Sequence, residues 1–187
     1  DHKSIFYTGL YHLLMHPNIL QDVNGQYPKM GSGETGQTDG NRYTVFSLWD
    51  TYRNVHPFLS LVYPEIQNDI VNSMLDMYDE SGWLPKWELL SMETDVMVGD
   101  PASPVIADTY LRGIRNFDVS KAYEAIKKSA TVIPNPLRPE LDFYDSLGYI
   151  PEDPSNSIWG GTVSTSLEYY ISDWNVAQMA KALGQSK

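Results

Sequence analysis

Three clusters of aromatic and charged residues hold most of the chain's chemical capacity. Trp49-Asp50-Thr51-Tyr52-Arg53, followed by His56-Pro57, brings an indole, a carboxylate and a guanidinium into one short stretch. An indole stacks on the apolar face of a sugar ring, while a carboxylate and a guanidinium hydrogen-bond vicinal hydroxyls, so the cluster suits a neutral polyol ligand. The same residues also suit a structural role, with Asp50 capping a helix, Arg53 paired to it at i,i+3 and Trp49 in the core. The second cluster runs Gly82-Trp83-Leu84-Pro85-Lys86-Trp87-Glu88 and continues through Met92-Glu93-Thr94-Asp95 to Met97-Val98-Gly99-Asp100. Its two tryptophans have no helical period and stand near several carboxylates, which fits the wall of a carbohydrate site or a loop anchored by its indoles.

The third cluster is Ser166-Leu167-Glu168-Tyr169-Tyr170-Ile171-Ser172-Asp173-Trp174. Its carboxylates, Glu168 and Asp173, are the candidates for acid–base catalysis, but five residues on a helix turn through about 140°, so they cannot share one small site. Burial of Glu168 among Leu167, Tyr169 and Trp174 would suit it to general-acid duty, and a structural carboxylate bonded to backbone amides is the competing reading. His12 and His16 have i,i+4 metal-ligand spacing without a third ligand of matching pattern, so no zinc site is assigned. Gly31-Ser32-Gly33-Glu34-Thr35-Gly36 lacks the lysine and preceding strand of a phosphate-binding loop, and no Gly-x-Ser-x-Gly elbow occurs.

A formal net charge of −11, from 24 acidic and 13 basic side chains, disfavours nucleic acid and anionic membrane surfaces as partners. The chain has no cysteine, which excludes disulfides, thiolate metal sites and a Cys nucleophile. No apolar run approaches the roughly 20 residues that cross a bilayer, and Asp1-His2-Lys3-Ser4 is not a signal peptide.

The elements that must hold these clusters read as helices, separated by Pro, Gly, Asn and Asp. Apolar spacing predicts helices over 5–16, 49–62, 64–81, 104–114, 120–130, 139–147 and from Thr162 or Ser164 to Leu183, about seven in all. The 5–16 helix is expected to stop at Pro17-Asn18, and the 120–130 helix to start from a Ser120 cap. Asn-Gly and Asp-Gly turns beside β-branched and aromatic residues predict a small β-hairpin-like excursion near residues 22–48. The fold class is therefore all-α with one elaborated face.

The chain as a whole resembles glycoside hydrolase family 92, bacterial exo-acting α-mannosidases. The resemblance rests on ordered blocks from about Phe6 to Gly184. They are Phe6-Tyr7-Thr8-Gly9-Leu10-Tyr11-His12 with His16-Pro17-Asn18, the 22–27 segment, Trp49-Asp50-Thr51-Tyr52-Arg53 with His56-Pro57, and Gly82-Trp83-Leu84-Pro85 with Trp87. Met97-Val98-Gly99-Asp100, Leu147-Gly148-Tyr149-Ile150-Pro151 and Ser166-Leu167-Glu168-Tyr169 with Asp173-Trp174 complete them. The resemblance implies a β-sandwich domain followed by an (α/α)6 toroid, and calcium-dependent, inverting hydrolysis of terminal α-mannosides of the α-1,2 type. It also implies that Trp49, Asp50 and Arg53 line the terminal-mannose subsite.

The family's Glu-Gly-Asn-x-Trp-Gln motif, associated with the general acid, does not occur in these 187 residues. Nor does its Gln-Asn-Glu-Pro calcium motif, or the Asp-rich turn before Gly-Gln-Met-Ser associated with the base. Glu168 therefore does not inherit the role of acid, and calcium ligands are expected outside the chain. Inverting hydrolysis needs two carboxyl groups roughly 6.5–9.5 Å apart with a water between them. Residues 1–187 are accordingly expected to form part of a single toroidal catalytic domain, without the β-sandwich or the later catalytic segments, and to be inert alone. The expected partners are mannose-terminated glycans and the remainder of a parent enzyme, and the expected location is periplasmic or secreted. A non-catalytic carbohydrate-binding helical module and a helical interaction domain with every tryptophan in its core are the alternatives.

Overall fold

A computed structural model describes residues 1–152 and 161–185. It begins with α1 (His2–Leu13), capped by its own first residue, whose carboxylate accepts from the Lys3 amide at 3.0 Å. The helix ends three residues before the expected His16, so Pro17 is not what stops it. The 22–48 excursion is richer than a single hairpin. β1 (Asn18–Ile19) pairs with β4 (Tyr43–Thr44), and β2 (Gln26–Pro28) pairs with β3 (Thr35–Gln37), all antiparallel. Gly36 has no side chain because the Tyr27 ring lies over it: a Cβ there would meet Tyr27 Cζ at 2.6 Å.

A third sheet corrects the all-α expectation. β5 (Phe46–Ser47) pairs with β6 (Trp87–Leu89), which turns back into β7 (Met92–Glu93), so part of the second cluster is a strand pair rather than a loop. Strands of two or three residues are too short for alternation to register in a sequence. The buried Glu88 carboxylate organises this sheet. It accepts from Thr44 Oγ1 at 2.7 Å, from the Val45 amide at 3.0 Å and from the Ser91 amide. Val45, Leu90 and Ser91 all carry positive φ, at 65°, 51° and 69°. A β-branched residue held there costs on the order of 1–3 kcal/mol, and the Glu88 bonds offset it.

The helices follow with one correction in number. The predicted 49–62 helix is two, α2 (Leu48–Thr51) and α3 (Val55–Val62), separated by Asn54 at φ −137°, which raises the described total from seven to eight. α4 (Pro64–Ser81) opens with Pro64 at its first position and closes on Gly82 at φ 83°. α5 (Ala102–Leu111) and α7 (Leu141–Leu147) start and stop within three residues of expectation. α6 (Val119–Thr131) is capped by Asp118, which accepts from the Lys121 amide at 2.9 Å, and not by Ser120. α8 (Thr162–Ala182) is the longest.

α5 is the axis of the core. Ala102 to Ala107 are all buried, with α8 packed along it and α3, α4 and α6 around it. Ile70, Val71, Met74 and Met77 of α4, Ala122, Ala125 and Ile126 of α6, and Met179 of α8 complete the apolar cluster. Each large aliphatic side chain buried there contributes about 1.5–3 kcal/mol, and the alanines on α5 and α6 let helix backbones approach. Two faces stay bare. α1 has no buried residue, leaving Ile5, Phe6, Tyr7 and Tyr11 exposed, and α8 turns Val163, Leu167, Tyr170 and Trp174 outward at helical spacing.

Candidate functional site

The first and third sequence clusters meet. α2 emerges directly from β5, and its Trp49, together with Tyr52 and Arg53 just beyond, converges on Glu168 of α8. Trp49 Nε1 donates to Glu168 Oε1 at 3.2 Å, Tyr52 Oη donates to Oε2 at 2.8 Å, and Arg53 Nη2 donates to Oε1 in a salt bridge. Arg53 Nη1 donates back to the Trp49 carbonyl at 2.9 Å. The guanidinium also lies 4.9 Å from the Trp49 ring centroid and 4.2 Å from that of Tyr52, so it is held between two π faces. Burial, reinforced by the bond to Glu168, pushes the Tyr52 hydroxyl far above its usual range, which keeps it protonated and donating.

Asp50 stands exposed beside this group and accepts from Ser47 Oγ. Ser47 is paired in register with Trp87, which brings the second cluster's strand alongside the first. Arg53 bonds Glu168 and not Asp50, so the i,i+3 pair considered from the sequence does not form. Glu168 is nearly covered, at 12% side-chain exposure, but by Trp49, Tyr52 and Arg53 rather than by Trp174, which is 62% exposed. Its donors are side chains of α2 and of the turn that follows it, not backbone amides. Trp83 is not at this face: Lys128 Nζ sits 4.5 Å from its ring centroid, and the indole packs on the core.

Two buried arrangements fix the site from behind. Gly99, at φ 80°, presses against Glu168 so closely that a Cβ would stand 2.7 Å from the Glu168 Cβ. Thr51 Oγ1 stands 3.0 Å from His56 Nε2, His56 Nδ1 is 3.1 Å from Gln67 Oε1, and Gln67 Nε2 donates to Thr109 Oγ1 at 2.8 Å. This chain ties the α2 turn to α4 and α5. Complete burial pushes the His56 imidazole down to about 4, so it is neutral, with Nδ1–H donating to Gln67.

Asp173, the other candidate carboxylate, belongs to a separate network on the far side of Gly99-Asp100, as the 140° divergence requires. Arg138, fully buried, donates to Asp173 Oδ1 at 2.6 Å and to Asp100 Oδ2 at 3.1 Å, and Tyr144 Oη donates to Asp173 Oδ2 at 2.8 Å. Burial raises the Asp100 carboxyl against the pull of Arg138. The sequence reading missed Arg138, Tyr52 and Gly99 as organising residues. Tyr52 lies inside the Trp49-to-Arg53 motif, whereas Arg138 bonds Asp100 and Asp173, 38 and 35 residues away, rather than the acidic Glu140 and Asp142 beside it in sequence.

His16 Nδ1 bonds Asn18 Oδ1, and His12 lies on the exposed α1. Among the described residues no three His, Asp or Glu side chains are grouped so that they could hold a metal ion, so the calcium that the resemblance implies has no ligand set there. No described helix is long and apolar enough to cross a membrane.

The family model described as the glycosyl hydrolase family 92 catalytic domain matches residues 1–187. The family GH92 α-mannosidase BT3965 of Bacteroides thetaiotaomicron, solved alone and with mannoimidazole, is 41% identical. In the complex the match has a TM-score of 0.88 and covers 96% of this chain and 23% of that one. The family GH92 inverting mannosidase BT2199 of the same organism is 31% identical with a TM-score of 0.84, over 96% of this chain and 25% of that one. An uncharacterized secreted glycosidase of Arthroderma benhamiae is 34% identical over 121 residues, which is 60% of this chain and 16% of its own length. The chain thus spans about a quarter of the length of the solved relatives. With all 187 residues matched by the catalytic-domain model and the same fold in both solved mannosidases, the chain belongs to glycoside hydrolase family 92, a family of α-mannosidases.

Proposed function

We propose that this chain is a segment of an exo-acting α-mannosidase that removes terminal α-linked mannose with inversion, α-1,2 linkages included. In this reading Trp49, Asp50 and Arg53 form one wall of the pocket for the terminal sugar. Trp49 presents its indole to a ring face, Asp50 accepts from a pair of hydroxyls, and Arg53 donates through the N–H groups that Glu168 and the Trp49 carbonyl leave unused. The observation that carries the reading is the convergence of Trp49, Tyr52 and Arg53 on Glu168 beside an exposed Asp50. Such an arrangement holds an indole and a guanidinium rigidly at a surface, which a sugar site needs and a hydrophobic core does not.

Asp50 and Arg53 are exposed, so this chain covers a bound sugar from one side only. The opposite wall, the acid, the base and the calcium ligands are assigned to the remainder of a longer enzyme, in which residues 1–187 form part of a single (α/α)6 toroid. The bare apolar faces of α1 and α8 support this assignment, since about 25 cal/mol is lost for each Å² of apolar surface left in water. Glu168 and Asp173 are then structural carboxylates, each engaged by an arginine and a tyrosine. The enzyme is taken to be periplasmic or secreted, in keeping with the secreted glycosidase among its relatives. Its partners are mannose-terminated glycans.

The test is an assay of the 187-residue chain with an aryl α-mannoside and calcium, paired with calorimetric titration of methyl α-mannoside. The expected result is no turnover and weak binding, with Asp50→Ala abolishing the binding while stability changes by less than about 1 kcal/mol. Robust turnover by the isolated chain would show that the missing groups were wrongly assigned, and unchanged affinity in Asp50→Ala would remove the cradle.

A further inference from the structure

Resting on the reading of Trp49, Asp50 and Arg53 as a sugar cradle, we propose that Glu168 sets the cradle's charge selectivity. By cancelling the Arg53 guanidinium it leaves a site for a neutral terminal sugar and excludes one that carries phosphate or carboxylate.

An arginine at a sugar site is ordinarily an invitation to anions, because its planar fork matches phosphate and carboxylate bidentately. Here part of that capacity is committed before any ligand arrives. Arg53 Nη2 is committed to Glu168 Oε1 and Nη1 to the Trp49 carbonyl. The guanidinium carbon lies 4.9 Å from the Trp49 ring centroid and 4.2 Å from that of Tyr52, so a swing toward solvent would break both contacts. Glu168 is itself fixed: Tyr52 Oη and Trp49 Nε1 hold its two oxygens, and the backbone of Gly99 blocks it from behind.

The formal charges of the cradle are then Arg53 at +1 and Glu168 and Asp50 at −1 each, a net −1. The buried cations are engaged elsewhere, Arg42 with Glu80, Arg138 with Asp100 and Asp173, and Lys86 with the Leu137 carbonyl. The chain as a whole carries −11, which repels anions at longer range. Removing the charge of Glu168 while keeping its shape would bring the cradle to zero and turn the ion pair with the guanidinium into a weaker neutral-acceptor hydrogen bond.

The experiment compares methyl α-mannoside with mannose 6-phosphate as probes, by titration calorimetry at low and high salt, on the wild-type chain and on Glu168→Gln. The wild type is expected to bind the phosphate ester at least about tenfold more weakly than the neutral glycoside at low salt, with the gap narrowing as salt rises. Glu168→Gln is expected to shrink the low-salt gap about tenfold, the phosphate ester gaining affinity. Selectivity set by Glu168 is overturned if the wild type binds both probes equally, or if a folded Glu168→Gln keeps the wild-type ratio. Should circular dichroism show that Glu168→Gln does not fold, the salt dependence of the wild-type ratio decides, and a ratio unaffected by salt overturns the proposal. Binding of neither probe by the wild type overturns the proposal and the underlying cradle reading together, which separates that failure from loss of selectivity alone.

Discussion

Gly99→Ala separates a backbone effect from a steric one at the back of the site. Gly99 has φ 80°, and an added Cβ would stand 2.7 Å from the Cβ and 3.4 Å from the Cγ of Glu168. The nearest obstruction is the root of a side chain on a long helix, so it cannot rotate away, and α8 or the 97–100 segment must move. Gly148 is a matched control, with φ 79° and nothing within 4 Å of its added Cβ. Both substitutions incur the left-handed penalty of about 1–2 kcal/mol. Only Gly99→Ala adds an overpacking cost of roughly 1–3 kcal/mol. With an m-value near 2 kcal/mol/M, that excess moves the urea midpoint of Gly99→Ala about 0.5–1.5 M below that of Gly148→Ala. Equal midpoints for the two variants would refute the close approach of Gly99 to Glu168 and, with it, the account of why this carboxylate is immobile.

Arg138→Met leaves Asp100 buried without its cation, at an expected cost of about 3–5 kcal/mol in urea unfolding. Adding Asp100→Asn removes the stranded charge and should recover part of that loss; a double variant no more stable than the single one contradicts the arrangement. The His56 imidazole, pushed down to about 4 by burial, makes the unfolded state bind more protons than the folded state between pH 4 and 6.5. Stability therefore falls as pH drops through that window, by up to roughly 3 kcal/mol from this group, and the loss saturates below pH 4 where both states are protonated. Because burial raises Asp76, Glu88 and Asp100, which act with the opposite sign, the informative measurement is the wild-type pH profile minus that of His56→Gln. A flat difference between pH 4 and 6.5 would mean that His56 is not neutral and enclosed.

Helix positions were largely legible because they depend on local spacing. α4 begins and ends where Pro64 and Gly82 say it must, and α8 ends within one residue of the expected Leu183. The break between α2 and α3 was not legible: Thr51 to Asn54 contains no glycine or proline, and the chain turns there because Trp49, Tyr52 and Arg53 are drawn across to α8. The excursion over 22–48 was legible as strands, whereas the third sheet, in which β5 pairs with β6 and β6 with β7, was hidden. Val45, Leu90 and Ser91 occupy left-handed backbone without being glycine, held there by the Glu88 carboxylate, which binds the Val45 and Ser91 amides, and by Thr44 Oγ1, which binds that of Leu90.

What the sequence determined alone is the set of chemical groups, the helical rhythm and the ordered motifs by which the family is recognised, since all are properties of neighbours along the chain. It also determined, by helix geometry, that Glu168 and Asp173 face different ways. Which carboxylate would meet which arginine was decided only by the tertiary structure. Arg53 is separated from Glu168 by 115 residues, and Arg138 from Asp100 by 38. The choice between those pairs and nearer ones such as Asp50 with Arg53 rests on which charges the packed core leaves no water to satisfy.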